Sequence, residues 1–307
     1  MIDILVIGGG CAGLTASIYG ARAGKKVLVL EQENIGGQIT YSPRVENYPG
    51  ISSISGAEFA DQLYEQAVAL GVEIDLIQVI GIEKTGNYFV AHSETEEINT
   101  KSIVIATGVC HRKLSLDKEE ELSGKGVSYC TLCDGAFYKD EDVVVVGGGN
   151  TALQGAEFLS SFCEKVYLVH RRETFRGEEK ILRRLKEKEN VEFLTSSVVS
   201  SIQGIDEVDK VTVKNLQNNE EKQLSVTGIF VLIGQVPNNK PFEEFVRMDE
   251  EGFVDAGEDC KTSKEGVFVA GDCRKKNVRQ LTTAAADGTV AALEAMKYLD
   301  ELDYRNR

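Results

Sequence analysis

The chain has 307 residues, of which 42% are hydrophobic and 30 are glycine, and its formal net charge at pH 7 is −15. This length is sufficient for two domains of ordinary size, and the composition suits a compact α/β protein. The acidic charge argues against nucleic acids and anionic membranes as partners. We find no run near the roughly 18 apolar residues of a spanning helix, and the first residues enter a strand pattern directly, so neither a membrane anchor nor a signal peptide is predicted.

The seven cysteines include only one closely spaced pair, Cys130 and Cys133. An odd count with the other five scattered is unlike the disulfide framework of a small secreted protein. We therefore expect a cytoplasmic protein with one working disulfide.

The first elements form a dinucleotide-binding pattern. An apolar strand over Ile4–Ile7 leads into a glycine-rich turn, a helix is predicted from Leu14 to Ala23, and a second strand over Val27–Leu30 ends at Glu31. In this pattern Gly8 permits the tight turn, Gly10 lets the backbone approach a pyrophosphate, and Gly13 lets helix and strand pack closely. An acid at the strand tip accepts hydrogen bonds from ribose hydroxyls.

The next stretch is less regular. Residues 35–50 predict an irregular loop, which in a compact domain is usually functional. A helix is predicted from Ala57 to Leu70 and an antiparallel meander over 72–99. A separate apolar strand from Ser102 to Ala106 then ends at Thr107 and Gly108, where a cofactor can approach the backbone.

The strand–turn–helix–strand pattern then repeats. A strand over Asp142–Val146, a glycine turn, a helix over Leu153–Phe162 and a strand over Lys165–Val169 follow in the same order. The interval from Ala152 to His170 equals that from Gly13 to Glu31.

The tip of this second strand is basic. His170 stands where the first unit has its acid, followed by Arg171 and Arg172, with Arg176 four residues later. Arginines at this place favour the 2′-phosphate of NADP over a free ribose diol. The alternative is a solvated basic run, which is how we interpret Arg183, Arg184 and Lys186.

The last third of the chain predicts a return to the first domain. Strands are predicted over Val208–Leu216 and Leu224–Ile233, and the run ending at Gly234 resembles the one ending at Gly108. A third run ends at Gly271 and Asp272 and supplies the strand and helix that the first unit lacks. We expect crossings near 114–116 and 238–242, hence one discontinuous domain of residues 1–115 with 243–307 and an inserted domain of residues 116–242.

Cys130 and Cys133 carry the candidate chemistry, with Asp134 directly after them. Two cysteines three residues apart can close a disulfide or open to two thiols, one of them easily ionised. A structural zinc site normally needs four ligands. No second such pair exists and the chain has three histidines, so no metal is expected.

Together these motifs resemble the low-molecular-weight bacterial-type thioredoxin reductases. The resemblance rests on GGGCAG, GGQ, VENYPG, CTLCDG, GGGNTA, HRRETFR and GDCRKKNVRQLTTAAADG, in this order along nearly the whole chain. It implies an α/β protein of two Rossmann-like domains, the second inserted into the first. It also implies a homodimer with FAD, with NADPH as electron donor and thioredoxin or a thioredoxin-like protein as acceptor.

The resemblance also implies roles for individual residues. Cys133 would face the flavin, Cys130 would attack the disulfide of thioredoxin, and Asp134 would move the proton. The residues expected at FAD are Gly8, Gly10, Gly13, Glu31, Gly37, Gln38, Asn47, Thr107, Gly108, Gly271, Asp272, Arg279, Gln280 and Leu281. Those expected at NADPH are Gly149, Asn150, Thr151, Ala152, His170, Arg171, Arg172, Arg176 and Gly234.

The chain departs from the family pattern in a few places. Gln154 and Gly155 stand where many members have two acids, and a glycine inside a helix costs roughly 1 kcal/mol relative to alanine. Cys11 and His111 occupy positions that are often proline. Some relatives take electrons from ferredoxin and lack the arginines, which leaves a ferredoxin-dependent reductase, or one that serves a peroxiredoxin partner, as the alternative. The arginines favour NADPH.

Overall fold

The computed structural model describes residues 1–305 and contains six α-helices and seventeen strands within that range. The helices are α1 (Cys11–Arg22), α2 (Gly56–Ala69), α3 (Thr131–Asp134), α4 (Asn150–Leu159), α5 (Glu179–Lys186) and α6 (Leu281–Arg305). The strands of the first part are β1 (Ile2–Ile7), β2 (Val27–Glu31), β3 (Glu73–Leu76), β4 (Val79–Thr85), β5 (Tyr88–Ser93), β6 (Glu97–Ile105) and β7 (Val109–His111). Those of the middle are β8 (Val127–Ser128), β9 (Asp142–Val146), β10 (Lys165–Val169), β11 (Val191–Leu194), β12 (Ser197–Gly204), β13 (Val208–Asn215), β14 (Glu221–Ser225) and β15 (Gly228–Val231), and β16 (Gln235–Pro237) and β17 (Val267–Val269) complete the set.

The chain divides into two compact units. Met1–Cys110 and Val236–Arg307 form the first, and His111–Gln235 form the second. The boundaries expected from the sequence, 115/116 and 242/243, lie a few residues later in the chain. The strands at the observed boundaries, β7 and β16, pair in a two-stranded sheet.

The first unit is built on a sheet of strand order β3-β2-β1-β6-β5-β4, to which β17 adds beside β6. β6 is long enough to have two partners on one edge, because Glu97–Thr100 pairs antiparallel with β5 and Ile103–Ile105 pairs parallel with β17. The expected separate strand over 102–106 is therefore wrong, since it is the second half of β6. β3 is also not part of a meander, because it pairs parallel with β2. The predicted return of the chain to this sheet is confirmed by β17.

Successive side chains of β1 point to opposite faces of this sheet, and each face packs into its own apolar cluster. Ile4 and Val6 pack with α1 and α6 in one apolar cluster, whereas Leu5 and Ile7 belong to a second cluster with Phe89 of β5. A parallel strand covered on both faces reads as a continuous apolar run, as β1 does.

The second unit follows the same plan with a five-stranded parallel sheet of order β11-β10-β9-β15-β8. Val143 and Val145 of β9 face a cluster with α4 and α5, while Val144 and Val146 face the antiparallel sheet β12-β13-β14. The single strand expected over 224–233 is two strands, β14 and β15, which belong to different sheets. The sequence analysis also did not predict α5, β11 or β12.

No helix in residues 1–305 is both long and apolar enough to cross a bilayer.

Candidate active site

A cleft opens in the first unit around the turn that follows β1. Its cavity volume is about 170 Å³, and it is partly open to solvent. Its position beside β1, where the strand order reverses direction, is the usual ligand crevice of open α/β sheets. Of the predicted cofactor residues, the cleft is lined by Gly10, Glu31, Gly37, Gln38, Thr107, Gly108, Gly271, Asp272, Gln280 and Leu281.

Gly8 and Gly13 shape the turn from behind and are not among the lining residues. Gly8 has φ +113°, and a Cβ there would lie 2.3 Å from the carbonyl oxygen of Ala106. A Cβ on Gly13 would lie 1.9 Å from the carbonyl oxygen of Gly8. No side chain fits at either position: Gly8 lets the turn pass close to the end of β6, and Gly13 lets α1 approach the end of β1.

Glu31 is held at the turn by backbone donors. Its Oε2 accepts a hydrogen bond of 2.7 Å from the Gly9 N–H, and its Oε1 accepts one of 2.9 Å from the Glu33 N–H. Glu31 is 9% exposed, so its carboxyl group is a fixed acceptor at the edge of the cleft.

Asp272 supplies the second carboxylate of the cleft. Its Oδ1 is buried and has no hydrogen-bond partner among the described residues. Burial raises the pKa of this carboxyl to about 6, partly offset by the cations Lys276 and Arg279. Buried acceptors are normally satisfied, so Oδ1 fits a ligand that brings a hydroxyl donor, as the sugar and sugar-alcohol parts of a dinucleotide do.

Two further predicted residues lie beside the cleft. The Asn47 Nδ2 donates to Gln280 Oε1 at 3.4 Å. The Arg279 Nε donates to the carbonyl oxygen of Asp272 at 3.2 Å, and its guanidinium lies 4.2 Å from the ring centroid of Phe253.

The glycine turn of the second unit is joined to the basic loop by backbone hydrogen bonds. Gly149 is the N-cap of α4, and Asn150, Thr151 and Ala152 form its first turn. The carbonyl oxygen of Gly148 accepts a 2.8 Å bond from the Arg176 N–H. The Asn150 Oδ1 accepts a 2.7 Å bond from the N–H of Glu178. The predicted cofactor residues of the turn and of the loop are therefore neighbours.

His170 packs against this turn. A Cβ on Gly148 would lie 2.1 Å from His170 Cε1, so the imidazole occupies the space that a side chain would need. The ring also stacks on Phe175 with centroids 4.9 Å apart, and burial lowers its pKa. Arg171, Arg172 and Arg176 are exposed, and none is in an ion pair within residues 1–305.

Gly234, the last predicted cofactor residue, follows β15 with φ +117°. Its carbonyl oxygen accepts a 3.0 Å bond from the Arg112 N–H.

Cys130 and Cys133 form a disulfide at the junction of β8 and α3. Both residues are half-buried, and Leu132 between them is 60% exposed. The Cys130 Sγ accepts a 3.2 Å hydrogen bond from the Cys133 N–H. A backbone donor at this place can stabilise negative charge on the Cys130 sulfur.

Asp134 directly follows Cys133 in the chain and is hydrogen-bonded to the backbone of Cys130. Its N–H donates to the carbonyl oxygen of Cys130 at 3.1 Å. The Ser128 hydroxyl donates to its Oδ2 at 2.7 Å, whereas its Oδ1 is buried without a partner among residues 1–305. Burial raises the pKa of the Asp134 carboxyl, partly offset by Ser128, so this acid retains its proton to a higher pH than usual.

The departure at Gly155 has a structural reason. A Cβ at this position of α4 would lie 2.7 Å from Leu232 Cδ1 and 3.0 Å from Thr131 Cγ2. The glycine therefore allows α4 to pack closely against the short helix that carries Cys133.

Two polar residues that support the predicted site residues were not identified from the sequence. Ser128 supports Asp134, and Asp287 of α6 accepts a 3.1 Å bond from the Gly271 N–H. A polar residue inside an otherwise apolar strand or helix face was the available signal in both cases.

Within the described residues, no group of three or more His, Cys, Asp and Glu side chains lies close enough to hold a metal ion.

Comparisons with known proteins agree on one family. The model of the family described as "Pyridine nucleotide-disulphide oxidoreductase" matches residues 2–288. A protein of Clostridium pasteurianum, "34.2 kDa protein in rubredoxin operon", is 41% identical over 97% of each chain. The thioredoxin reductase of Bacillus subtilis is 37% identical over 98% of this chain and 95% of its own.

A solved structure of similar sequence has the same fold. The crystal structure of thioredoxin reductase from Streptococcus pyogenes is 38% identical and has a TM-score of 0.94, covering 98% of this chain and 99% of that one. The family match, the relatives and the disulfide beside a buried acid all identify an oxidoreductase, and the chain belongs to the pyridine nucleotide-disulphide oxidoreductase family.

Proposed function

We propose that the protein is an NADPH-dependent flavoprotein that reduces the disulfide of thioredoxin or a thioredoxin-like protein, acting as a cytoplasmic homodimer. The observation that carries this proposal is the Cys130–Cys133 disulfide with the Asp134 carboxyl linked to the Cys130 backbone through the Ser128 hydroxyl. The names of the similar Bacillus and Streptococcus proteins support thioredoxin as the acceptor.

In this proposal the domain of residues 1–115 and 243–307 binds FAD. Glu31 accepts hydrogen bonds from a ribose, and the turn from Gly8 to Gly13 admits the pyrophosphate at the start of α1. Asp272 Oδ1, which has no partner within residues 1–305, accepts a hydrogen bond from a hydroxyl of the cofactor. When bound, NADPH would supply a hydride and FAD would relay the two electrons to the Cys130–Cys133 disulfide.

The domain of residues 116–242 binds NADPH in the same proposal. The turn at Gly149 to Ala152 receives the pyrophosphate. The exposed guanidinium groups of Arg171, Arg172 and Arg176 receive the 2′-phosphate, because a planar guanidinium bonds phosphate oxygens through two donors at once.

The reduced cysteines then act by thiol–disulfide exchange. The Cys130 thiolate attacks one sulfur of the thioredoxin disulfide, forms a mixed disulfide and expels the other thioredoxin sulfur as a thiolate. Cys133 then attacks Cys130 Sγ, expels the second thioredoxin sulfur and restores the Cys130–Cys133 bond. Two electrons pass to thioredoxin, and Asp134 donates a proton to a departing thiolate.

Variants of the two cysteines test this order of attack. In Cys133→Ser the remaining thiol has no partner to resolve the mixed disulfide, so incubation with oxidised thioredoxin should trap a covalent complex visible on a non-reducing gel. Cys130→Ser should trap far less, and both variants should lose NADPH-dependent thioredoxin reduction.

Cys163→Ser is the matched control, because Cys163 is a buried free thiol of the same unit whose Sγ contacts the carbonyl oxygen of Tyr138. It should reduce thioredoxin like the native enzyme. Trapping in Cys130→Ser in place of Cys133→Ser would reverse the assigned roles.

A further inference from the structure

The hydroxyl of Ser128 connects the redox-active disulfide to the carboxyl group of Asp134. Ser128 ends β8 and is 4% exposed. Its Oγ lies 3.1 Å from the backbone nitrogen of Cys130, 2.7 Å from Asp134 Oδ2 and 3.3 Å from the carbonyl oxygen of Cys130.

These three contacts fix the direction of the hydroxyl. The Cys130 N–H can only donate, so Oγ accepts from it. The single O–H proton is then left for one of two acceptors, and the carboxylate at 2.7 Å is both the nearer and the charged one. Ser128 therefore donates to Asp134 while accepting from the residue that carries the reactive sulfur.

The two oxygens of the Asp134 carboxyl are consequently unequal. Oδ2 is held by Ser128, whereas Oδ1 is buried and has no partner in the part of the chain that the structure describes. A proton on Oδ2 would point at the Ser128 hydroxyl proton and so disrupt the hydrogen bond between them. A proton on Oδ1 leaves the Ser128 bond intact and relieves an unsatisfied buried acceptor.

We propose that Ser128 is a positioning residue for the catalytic acid: its hydroxyl holds Oδ2 of Asp134 and leaves Oδ1 as the atom that carries and releases the proton. The inference rests on the acid role given to Asp134 in the proposed function. No atom of Ser128 is consumed, because the proton moves from Asp134 Oδ1 to a departing thiolate sulfur and is later recovered from solvent or from a thiol.

The ionisable groups on the segments next to Asp134 do not compete for this role. Tyr138, in the 3-10 turn after α3, interacts with Asp134, but burial raises its pKa to about 12 and keeps it neutral. Glu157 of α4, the helix packed against α3, pairs with Arg184 of α5. Tyr129 of the preceding loop donates to Glu119.

Ser128→Ala tests the proposal in the oxidised holoenzyme. The variant loses a donor to the charged carboxylate, so the pKa of Asp134 should rise by about one to two units. Infrared difference spectroscopy measures it as the pH midpoint of the protonated-carboxyl band that disappears in Asp134→Asn. Ser128→Thr retains the hydroxyl and should restore the native midpoint.

Ser197→Ala is the control for removing a buried hydroxyl, because Ser197 is also 4% exposed and lies in the same unit. Within residues 1–305 its Oγ donates only to the carbonyl oxygen of Thr195. Its midpoint should be native. An unchanged midpoint in Ser128→Ala, or an equal shift in Ser197→Ala, would overturn the proposal.

Single-turnover kinetics distinguishes the positioning role of Ser128 from the acid role of Asp134 in the proposed function. In the native enzyme, the single-turnover rate of thioredoxin reduction should fall at high pH, and the midpoint of this fall should equal the midpoint of the infrared titration. In Ser128→Ala the midpoint of the rate should shift to higher pH. If Asp134→Asn keeps the native pH profile, the acid role itself fails. If Asp134→Asn abolishes the profile while Ser128→Ala leaves it unmoved, the role of Ser128 alone fails.

Discussion

Replacing Asp287 by alanine should strongly destabilise the first unit. The Asp287 carboxylate, 8% exposed, accepts from Arg274 Nη2 at 3.0 Å and from Lys276 Nζ at 2.8 Å. The side chains of Arg274 and Lys276 are 2% and 6% exposed. The same carboxylate also accepts from the Gly271 N–H, so it holds the backbone beside Asp272.

The magnitude follows from what the substitution leaves behind. Removing one partner of a buried ion pair typically costs about 3–5 kcal/mol, because the remaining charge stays buried without compensation. Within residues 1–305, Lys276 would then lose its carboxylate partner, and Arg274 would keep only Glu258, which is 94% exposed, as an acidic partner. For a unit of this size the loss corresponds to a fall of roughly 10 °C in unfolding temperature.

Thermal unfolding followed by circular dichroism, together with release of bound flavin, provides the assay. Glu258→Ala is the control, since it removes a carboxylate from the same Arg274 at an exposed position, where ion pairs contribute little. If Asp287→Ala and Glu258→Ala lowered the midpoint by the same small amount, the buried cluster would not have the stabilising role assigned to it.

Two further predictions concern the cofactor residues. We expect a preference for NADPH over NADH of about a hundredfold or more, since each charged hydrogen bond contributes roughly 1.5–3 kcal/mol. Changing Arg171 and Arg172 together to alanine should remove most of this preference. Steady-state kinetics with both nucleotides measures the preference, and an unchanged value would refute the arginine assignment. Asp272→Asn should stabilise the flavin-free protein above pH 6 by up to about 3 kcal/mol. The pKa of Asp272 is about 6 in the folded protein and 3.8 ordinarily, so the folded protein disfavours the charged carboxylate and loses stability as the pH rises from 3.8 to 6. Asparagine carries no charge and avoids this loss. Below about pH 3 the Asp272 carboxyl is neutral in both the folded and the unfolded protein, so denaturant unfolding should show no difference between the variant and the native protein. A constant difference at all pH values would contradict the assigned cause.

The parts of the fold that could be predicted are those determined by local pattern. The two glycine turns, β1 and β10 are recognisable because a parallel strand covered on both faces is continuously apolar and the turn requires glycine. β6 was divided in two because its first half alternates beside β5 and its second half is buried between β1 and β17. That change of environment within one strand depends on tertiary pairing.

The supporting side chains of the site could not be predicted for a similar reason. Ser128 reaches Asp134 only because β8 and α3 are joined by a turn at Cys130, and Asp287 reaches the Gly271 backbone from a helix that begins ten residues later in the chain. A glycine at 155 conflicts with helix propensity and is explained only by the close approach of Thr131 and Leu232. Sequence pattern identifies such residues as unusual but does not show what they contact.

The most direct test of the account is an anaerobic titration of the purified protein with NADPH, then with NADH, and then with reduced ferredoxin, while the visible absorption of flavin is followed. The account predicts a yellow protein whose flavin is bleached by NADPH at low concentration and by NADH only at much higher concentration. Reduction by ferredoxin with no response to either nucleotide would contradict the assigned donor, and protein that is folded but contains no extractable flavin would contradict the electron path as a whole.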